Sequence, residues 1–498
     1  MDTSVVIVGA GPAGLMLAGE LRLAGIDVTV LESLPQRTGE SRGIGLATRT
    51  MEIFDQRGLL RRLGAYETSD MGHFGGLPLD VGVLGAAHQA ARTVPQSVTE
   101  AALESWATEL GADIRRGHTF LDLSDGGESV TVRVRGAAGE EEIEARYLVG
   151  CDGGRSAVRK TAGFDFPGTA ATTEMLLADI RGVDLEPRMT GQQVGGGFVM
   201  VAKLPGGIHR IIVGERGIPP QRRTAPPAFA EVADHWKRLT GIDISHAEPV
   251  WVSAFGDATR QVTEYRRGRV LLAGDAAHVH LPAGGQGMNT SVQDSFNLGW
   301  KLAAVLKGDA PASLLDTYHT ERHEVGRRML ANTQAQSLLV LGGAEVQPLR
   351  DVLSELLPYP EVARHLAAKV SGLDIRYDVG PGTHPLLGRR MPHLPLTAGT
   401  RATSSTELLR PGRGVLLDLA DNAVLRRRAE GWRARVDIVT ATPGALPDDS
   451  PLAGTSAVLL RPDGHVAWAA PGSHHGVSTA LDRWFGPAAA RRGRGGRR

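Results

Sequence analysis

The N-terminal stretch SVVIVGAGPAGLMLAGELRLAGIDVTVLES constrains the fold of this 498-residue chain more than any other. It reads as a buried strand at residues 5–8, a glycine turn and a helix over about residues 12–24. A second strand follows at residues 28–31 and ends at an acid, Glu32. This order of strand, turn, helix and strand predicts a Rossmann-like βαβ unit and therefore an α/β fold.

The turn holds Gly9, Gly11 and Gly14 in the spacing GxGxxG. The first glycine permits the tight turn, the second lets the backbone approach a pyrophosphate, and the third lets the helix pack against the strand. Backbone N–H groups at the helix start then face the phosphates. Glu32 follows at about the 20-residue spacing of an acid that bonds ribose hydroxyls. The unit predicts a site for the adenosine end of FAD or NAD.

The composition excludes several classes of function. Lys plus Arg and Asp plus Glu both number 55, so no net charge steers the chain toward nucleic acid or an anionic membrane. The single cysteine, Cys151, excludes a disulfide framework, a multi-cysteine zinc site and a CxxC redox pair, and no metal site is predicted. We find neither a signal peptide pattern nor an apolar run of roughly 18 residues. We therefore expect a cytoplasmic protein that binds neither nucleic acid nor membrane.

Two later stretches indicate which dinucleotide binds. The stretch YLVGCDGGRSAVRK is an apolar strand that ends in Asp152. In RVLLAGDAAHVHLPAGGQGMN a strand at residues 270–273 ends at Asp275, at the carboxyl edge where open α/β sheets bind ligands. Asp275 can accept hydrogen bonds from a sugar-alcohol chain. Three glycines beyond it let backbone N–H groups approach a flat ring: Gly284, Gly285 and Gly287.

A helix is predicted from about Met288, because apolar residues recur at helical spacing in NTSVQDSFNLGWKLAAVL. Its N-terminus would point back at the ring, where partial positive charge stabilises an anionic flavin. The glycine backbone, which can approach a flat ring, and Asp275, which can bond a sugar-alcohol chain, therefore favour FAD over NAD.

Three motifs in this order, VGAGPAG, CDGGRSAVRK and LLAGDAAHVHLPAGGQGMN, resemble those of the FAD-dependent aromatic hydroxylases of the p-hydroxybenzoate hydroxylase type. SRGIGLATRTMEIFDQRG, GHFGGLPLD, VPQSVTE and FGDATRQVTEYRRGRVLLAGD are similar to the bacterial aromatic polyketide hydroxylases, especially those acting on angucyclines. The resemblance covers essentially the whole chain. It implies a single-component monooxygenase of antibiotic biosynthesis that uses FAD, NADPH and dioxygen. Such an enzyme would hydroxylate an angucyclinone through a flavin C4a-hydroperoxide.

Two other functions stay open, because family resemblance fixes the cofactor better than the reaction. One is a Baeyer–Villiger or other ring-modifying oxygenase on the same scaffold. The other is an FAD-binding partner protein without oxygen chemistry of its own. The sequence leaves open the exact substrate, the carbon attacked and the substrate-activating base.

The resemblance also implies roles for individual residues. Arg42 matches an arginine near the FAD phosphates, and Gln96 matches a glutamine near the cofactor. Asp152 matches an acid that serves both FAD and NADPH, and Asp275 matches the acid that binds the ribityl chain. Pro282 falls beside the flavin, where its backbone and that of Gly285 position the ring. The expected cofactor-binding set is Gly9, Gly11, Gly14, Glu32, Arg42, Gln96, Asp152, Asp275, Pro282, Gly285, Gly287, Met288 and Asn289.

Three histidines are catalytic candidates. His278 and His280 straddle the flavin loop, and His73 in GHFGGLPLD could border a bulky substrate. The imidazole pKa suits proton transfer near neutral pH. Each has an ordinary structural alternative: the first two could satisfy nearby backbone groups, and the third could lie in a surface turn.

The chain is expected to form a discontinuous FAD-binding domain of the glutathione-reductase and p-hydroxybenzoate hydroxylase type. This domain comprises residues 1–171 and 262–380, with residues 71–95 contributing to the substrate side. Residues 172–261 are expected to form a middle β-sheet substrate domain, because GGFVMVAKLPGGIHRIIVGE alternates in polarity around a PGG turn.

A Gly- and Pro-rich linker is expected over residues 378–395, followed by a C-terminal domain over residues 396–490. The resemblance implies that this domain is thioredoxin-like. Its strands would include a hairpin turn at Asp463 and Gly464. No cysteine follows Cys151, so this domain cannot perform thiol–disulfide chemistry. We expect it to be structural, with the interface of a homodimer as one option. The basic run 491–498 is expected to be a disordered tail.

Overall fold

The computed structural model describes residues 1–69, 71–84, 89–446, 450–470 and 475–489. The basic run 491–498 lies outside the described residues. The fold is α/β, as predicted. The α-helices are Pro12–Leu23, Thr48–Gln56, Leu60–Leu63, Gln96–Glu109, Ala157–Thr161, Phe229–Thr240, Gln286–Leu306, Asp316–Leu341, Gln347–Leu356, Pro360–Ser371, Ser405–Leu408, Ala423–Ala429 and Val477–Phe485. Short 3-10 helices are Gly82–Leu84, Gly274–Ala276, Ala283–Gly285, Ala312–Leu315, Ala344–Val346 and Glu430–Trp432.

The largest sheet has eight strands, and we call it the main sheet. Its first strand is buried and apolar along almost its whole length, as expected of a parallel strand covered on both faces. That strand lies between two parallel neighbours, and helix Pro12–Leu23 connects it to one of them. The strands are, in spatial order, Arg266–Arg267, Val270–Leu272, Gly139–Gly150, Thr3–Val8, Val28–Glu32 and Asp113–Arg116, with Val130–Gly136 and Thr119–Asp125 joining through Gly139–Gly150.

The middle sheet has five antiparallel strands, whose spatial order is Arg188–Val194, Gly197–Leu204, Ile208–Glu215, Glu174–Arg181 and Glu248–Gly256. The predicted hairpin around PGG is confirmed, with Leu204 paired to Ile208 beside the turn. Side chains alternate between two faces. One face forms an apolar core with Trp236 of helix Phe229–Thr240. The other face points toward the glycine loop of the main unit, residues 280–287.

The C-terminal sheet has four strands in the order Val436–Thr440, Gly414–Asp418, Ala457–Leu460 and Val466–Ala470. The first two strands are parallel and the other neighbouring pairs are antiparallel. Helices Ala423–Ala429 and Val477–Phe485 accompany this sheet. Smaller sheets elsewhere in the described chain pair Pro395–Ala398 with Arg401–Ser404 and Thr442–Pro443, Thr259–Gln261 with Gly168–Thr169 and His278–Val279, Thr68–Ser69 with Ala91–Arg92, and Met71–Phe74 with Leu77–Asp80.

The segment 378–395 connects the helical region to the C-terminal sheet, but it is not a loose linker. Five of its apolar side chains are buried, and its backbone bonds the hairpin of the C-terminal sheet, with Gly388 N donating to Val466 O at 2.9 Å. The Gly and Pro content correctly predicted an irregular backbone, but it gave no sign that these side chains are buried. The buried side chains are Val379, Leu386, Leu387, Met391 and Leu394.

The hairpin turn at Asp463 and Gly464 is confirmed, and it penetrates the main unit. Arg461 in this turn is fully buried; it donates to both carboxylate oxygens of Glu321 on helix Asp316–Leu341 and to Asp463. Lys301 donates to the same Glu321 carboxylate at 2.8 Å. Charges so far from water persist only when paired. The C-terminal unit is therefore joined to the main unit by a buried charge cluster.

None of the helices in the described ranges has the length and apolar character needed to cross a membrane.

Candidate active site

Four neighbouring parallel strands end together at one edge of the main sheet. Val8 pairs with both Leu31 and Gly150, and Gly150 pairs with Leu272, so these residues form one row across the sheet. The residues that follow this row are the predicted ones: Glu32, Gly9, Asp152 and Asp275. Residues that lie hundreds of positions apart in the sequence thus meet at one carboxyl edge, where open α/β sheets bind ligands.

The three N-terminal glycines are required for different reasons. Gly9 has φ 106°, and an added Cβ would collide with the carbonyl oxygen of Cys151. An added Cβ on Gly14 would overlap the carbonyl oxygen of Gly9. A Cβ on Gly11 would meet no protein atom within 4 Å. The protein's own packing therefore demands Gly9 and Gly14, whereas Gly11 borders open space at the start of helix Pro12–Leu23.

Glu32 is held next to that open space. Its Oε2 accepts a hydrogen bond from Ala10 N at 2.9 Å, and its Oε1 accepts one from Leu34 N at 2.9 Å. These bonds fix the carboxylate at the rim of the glycine turn. The arrangement suits an acid that bonds ribose hydroxyls.

Asp152 makes its contacts with the helix that follows it. Its Oδ2 accepts from Ala157 N at 2.6 Å and from Val158 N at 3.1 Å, and its Oδ1 accepts from the Ser156 hydroxyl. The carboxylate therefore stabilises the start of helix Ala157–Thr161, where the helix dipole favours negative charge. The side chain is half-buried.

Asp275 is exposed at the same edge, in the turn Gly274–Ala276. Its Oδ1 lies 3.5 Å from the Ser291 hydroxyl. Gly274 has φ 64°, and a Cβ there would meet the Ser291 side chain at 2.8 Å. The strand ends at Leu272, one residue earlier than predicted, because Gly274 turns the backbone away from the sheet. Asp275 thereby presents a carboxylate to the space beside the glycine loop.

The glycine loop delivers a bare backbone to the start of helix Gln286–Leu306. Gly284 and Gly285 both have left-handed conformations, with φ 68° and 64°. The helix begins at Gln286, two residues before the predicted start, and no side chain caps it. A Cβ on Gly285 would meet nothing within 4 Å, and one on Gly287 would meet only the His280 ring at 3.5 Å or more. Free N–H groups and partial positive charge therefore face an open surface.

Pro282 is exposed at the beginning of this loop. Asn289 uses its side chain within the protein: Oδ1 accepts from Ala47 N at 2.8 Å, and Nδ2 donates to Gly285 O at 2.8 Å. The Asn289 side chain thus holds the loop in place. Only the backbone of Asn289 is then free to contact a flavin ring.

The segment 41–47 lies between Gln96 and the start of helix Gln286–Leu306. Met288 lies 3.3 Å from the Cβ position of Gly43, and Gln96 Oε1 accepts from Gly43 N at 3.2 Å. Arg42 itself is exposed, and its carbonyl oxygen accepts from Arg210 Nη1 at 3.2 Å. All thirteen predicted cofactor-binding residues therefore lie along one continuous region, from the N-terminal glycine turn to the glycine loop.

The three candidate histidines lie in different surroundings. His278 is fully buried, and its Nε2 donates to Asp294 Oδ2 at 2.8 Å. His280 donates from Nδ1 to Leu281 O at 2.6 Å, which leaves Nε2 toward Gly287. His73 lies in the hairpin Met71–Phe74 and Leu77–Asp80 and accepts from Gly76 N at 3.3 Å; burial lowers its pKa. Of the three, His280 is the one within the glycine loop, with its Nε2 nearest Gly287.

The His73 hairpin reaches the glycine loop through one side chain. Gln336 Oε1 accepts from Gly75 N at 3.2 Å and lies 3.1 Å from the Cβ position of Gly284. This contact places the hairpin beside the glycine loop. The contribution of residues 71–95 to the substrate side stays a prediction.

Acid should destabilise the protein through His280. Burial and the neighbouring His278 lower the pKa of His280 to about 4, although its bond to Leu281 O opposes the shift. An unfolded histidine titrates near 6.5, so the unfolded state binds more protons between pH 6.5 and 4. Stability is therefore full above pH 6.5 and falls by up to about 3 kcal/mol as the pH drops through this window.

Urea unfolding at pH 7 and at pH 4.5 measures this effect. His280→Asn should lose less stability on acidification than the wild type, whereas His365→Asn at an exposed position should behave as the wild type does. An unchanged pH dependence in His280→Asn would refute the assignment.

The structure also shows residues that the sequence reasoning missed. Arg210 and Asp179 pair across two strands of the middle sheet; Arg210 Nε and Nη2 each donate at 2.7 Å to one carboxylate oxygen. Trp251 lies over the Arg210 guanidinium at 5.4 Å. These residues share the face that points to the glycine loop. The sequence pattern that could have indicated them is a charged residue within an otherwise apolar strand, as in ADIR and in IHRIIV.

The same face is otherwise apolar. Met200, Ile212 and Phe255 are partly buried and cluster with Leu281 and Ala283 of the glycine loop. Met200 pairs directly with Ile212. The site therefore has an apolar wall on one side and a bare backbone on the other.

Comparison with known proteins agrees with this geometry. Residues 2–333 match the family described as FAD binding domain, and residues 384–488 match the family described as aromatic-ring hydroxylase, C-terminal. The first match contains the whole predicted cofactor-binding set, from Gly9 to Asn289.

Three similar proteins illustrate the relationship. Rifampicin monooxygenase of Streptomyces venezuelae is 44% identical over 498 aligned residues, covering 98% of this chain and 99% of the relative. The structure of CabE, an aromatic hydroxylase from angucycline biosynthesis, is 65% identical with a TM-score of 0.96. That of BexE, described in a study of oxidation during BE-7585A biosynthesis, is 70% identical with a TM-score of 0.94. Both structures match 98% of this chain and 100% of their own. The chain therefore belongs to the FAD-binding aromatic-ring hydroxylases, a family of flavin-dependent monooxygenases.

Proposed function

We propose that this protein hydroxylates a polycyclic aromatic polyketide of the angucyclinone type, with NADPH as the reductant of its FAD. The observation that carries the proposal is the apolar wall of Met200, Ile212 and Phe255 opposite the glycine loop. A flat, multi-ring substrate fits between an apolar wall and a flavin ring. The similarity to CabE, an aromatic hydroxylase from angucycline biosynthesis, supports the substrate class.

The geometry at the edge of the main sheet supports the proposed cofactor residues. Gly11 leaves room for the pyrophosphate, Glu32 is placed for the adenosine ribose, and Asp275 is placed for the ribityl hydroxyls. The backbone of Gly285 and Gly287 faces the ring. We assign the rest of the predicted set to the same cofactor: Gly9, Gly14, Arg42, Gln96, Asp152, Pro282, Met288 and Asn289.

Bound FAD supplies the redox chemistry that activates dioxygen, and the protein's share is positioning, shielding and electrostatics. The uncapped start of helix Gln286–Leu306 places partial positive charge beside the ring. The apolar wall excludes water, which protects a reactive site from side reactions. His280 is neutral at pH 7 because burial lowers its pKa to about 4, and its Nε2 can accept a hydrogen bond beside Gly287 of the glycine loop.

The proposed division into domains follows the sheets. We assign residues 1–171 and 262–380 to FAD binding, residues 172–261 to the substrate wall and residues 396–490 to a structural C-terminal unit. The buried charge cluster around Arg461 supports the structural role of that unit.

The direct test is anaerobic reduction of the purified holoprotein by NADPH with an angucyclinone present, followed by dioxygen and mass analysis of the product. A gain of one oxygen on an intact ring skeleton, with little peroxide, is expected. Insertion of oxygen into a carbon–carbon bond would instead identify a Baeyer–Villiger enzyme. NADPH consumption that yields only peroxide, or no NADPH consumption with any ring system, would contradict the proposal.

A variant tests the wall itself. Ile212→Trp fills the space opposite the glycine loop, so we expect KM for the angucyclinone to rise about tenfold or more and peroxide to replace product. Val250→Trp, at an exposed site on an edge strand of the middle sheet, is the control and should leave both unchanged. Equal kinetics in the two variants would place the substrate elsewhere.

A further inference from the structure

One carboxylate holds the turn that carries Asp275. Asp294 lies in helix Gln286–Leu306, and its side chain is fully buried. Its Oδ2 accepts from Gly274 N at 3.1 Å and from His278 Nε2 at 2.8 Å. Asp294 therefore bonds residues on both sides of Asp275.

The charge on Asp294 is secured from the opposite side. Arg322 is also fully buried and donates from Nε to Asp294 Oδ1 at 2.6 Å. Burial by itself would raise the pKa of Asp294, but Arg322 and His278 hold it below its usual range. Arg322 is fixed in turn by the Tyr377 hydroxyl, which accepts from Nη1 at 2.9 Å. The carboxylate is thus ionised, and ionised acceptors form the stronger hydrogen bonds.

Asp275 has little else to orient it. Its contact with the Ser291 hydroxyl is at 3.5 Å, the outer limit for a hydrogen bond. The side chain is exposed, and Gly274 before it is in the left-handed region, where glycine is conformationally free. The direction of the Asp275 carboxylate therefore depends on how firmly its backbone is held.

We propose that Asp294 is a positioning residue for the cofactor: it holds residues 274–278 so that the Asp275 carboxylate meets the ribityl hydroxyls. The inference rests on the proposed assignment of Asp275 to FAD. Asp294 does not touch the cofactor; it acts through Gly274 and His278. Its position on the helix that faces the flavin couples the ring end of the site to the ribityl end.

Asp294→Asn is the informative variant. The carboxylate offers two acceptor oxygens to three donors, whereas the amide offers one oxygen and an N–H group that repels a donor. The turn or Arg322 must therefore lose its partner. Loss of a hydrogen bond to a charged group predicts that FAD binds about 10- to 100-fold more weakly. The measurement is fluorescence titration of the apoprotein with FAD, with the visible spectrum of the bound flavin as a second readout.

Glu321→Gln is the matched control. Glu321 is a buried carboxylate too, bonded by Arg461, Lys301 and Asn297, with none of these bonds reaching the turn 274–278. Both variants should lower the midpoint of thermal unfolding. Only Asp294→Asn should weaken FAD binding and shift the flavin spectrum. An equal loss of FAD affinity in the two variants would reduce Asp294 to a structural role and overturn the proposal.

A third variant separates this inference from the assignment it rests on. Asp275→Asn should weaken FAD binding at unchanged thermal stability of the apoprotein, because its side chain is exposed. Normal FAD binding in Asp275→Asn would refute the assignment of Asp275. Weak binding in Asp275→Asn with normal binding in Asp294→Asn would refute the positioning role alone. If Asp294→Asn does not fold, His278→Leu, which removes the other anchor of the turn, must weaken FAD binding for the proposal to stand.

Discussion

Replacing Arg461 with methionine is expected to lower the free energy of unfolding by about 3 to 5 kcal/mol, because it leaves buried carboxylates without their principal partner. Arg461 is fully buried, and its guanidinium bonds both Glu321 and Asp463. Trp484 lies 4.5 Å from this guanidinium and Trp300 lies 5.3 Å from it. Urea unfolding followed by tryptophan fluorescence therefore reports on the site that is changed.

The matched control for this variant is Arg433→Met. Arg433 pairs with Glu430 at 2.7 Å, with both side chains more than half exposed, and such pairs contribute between about 0 and 1 kcal/mol. We expect its unfolding midpoint to remain near that of the wild type. If Arg461→Met unfolded at the wild-type urea concentration, the charge cluster would not be what joins the C-terminal unit to the main unit.

Replacing Gly11 with alanine is expected to weaken FAD binding by about 10- to 100-fold while leaving the apoprotein as stable as the wild type. The added methyl group meets no protein atom, so the fold has no reason to change. It enters the space assigned to the pyrophosphate, where overpacking costs about 1 to 3 kcal/mol. Thermal unfolding of the apoprotein and FAD titration measure the two quantities separately.

Variants at two further glycines serve as controls for this prediction. Gly14→Ala should destabilise the apoprotein, because its Cβ would overlap the carbonyl oxygen of Gly9. Gly126→Ala, in a surface turn with ordinary contacts, should alter neither stability nor FAD affinity. Normal FAD affinity in Gly11→Ala would mean that the pyrophosphate does not lie at this turn.

Local chemistry explains why much of the site could be predicted. Gly9, Gly14 and Glu32 lie within one βαβ unit, where short-range geometry determines what each residue must be. Asp275 and the glycine loop were predicted for the same reason, since strand, acid, glycines and helix are contiguous in sequence. Element boundaries shifted by one or two residues where glycines in the left-handed region redirected the backbone, as at Gly274 and Gly285.

Residues whose role depends on distant partners were missed. Asp294 read as one polar position in an amphipathic helix, yet it bonds His278, Gly274 and Arg322. Arg210 and Asp179 lie in different strands, and their pairing depends on the register of the middle sheet. A sequence pattern reports which face a residue occupies but not what lies opposite that face.

The sequence by itself determined the class of fold, the dinucleotide-binding turn and the glycine loop. Each of these depends on glycine spacing or on apolar periodicity within a few neighbouring residues. It also determined the family, since motifs of this length seldom recur by chance. Only the tertiary structure decided that four strand ends share one row, that an apolar wall faces the glycine loop, and that the hairpin around Arg461 is buried in the main unit. Those arrangements arise from contacts between segments far apart in the chain, and their free energy depends on three-dimensional packing that no local pattern encodes.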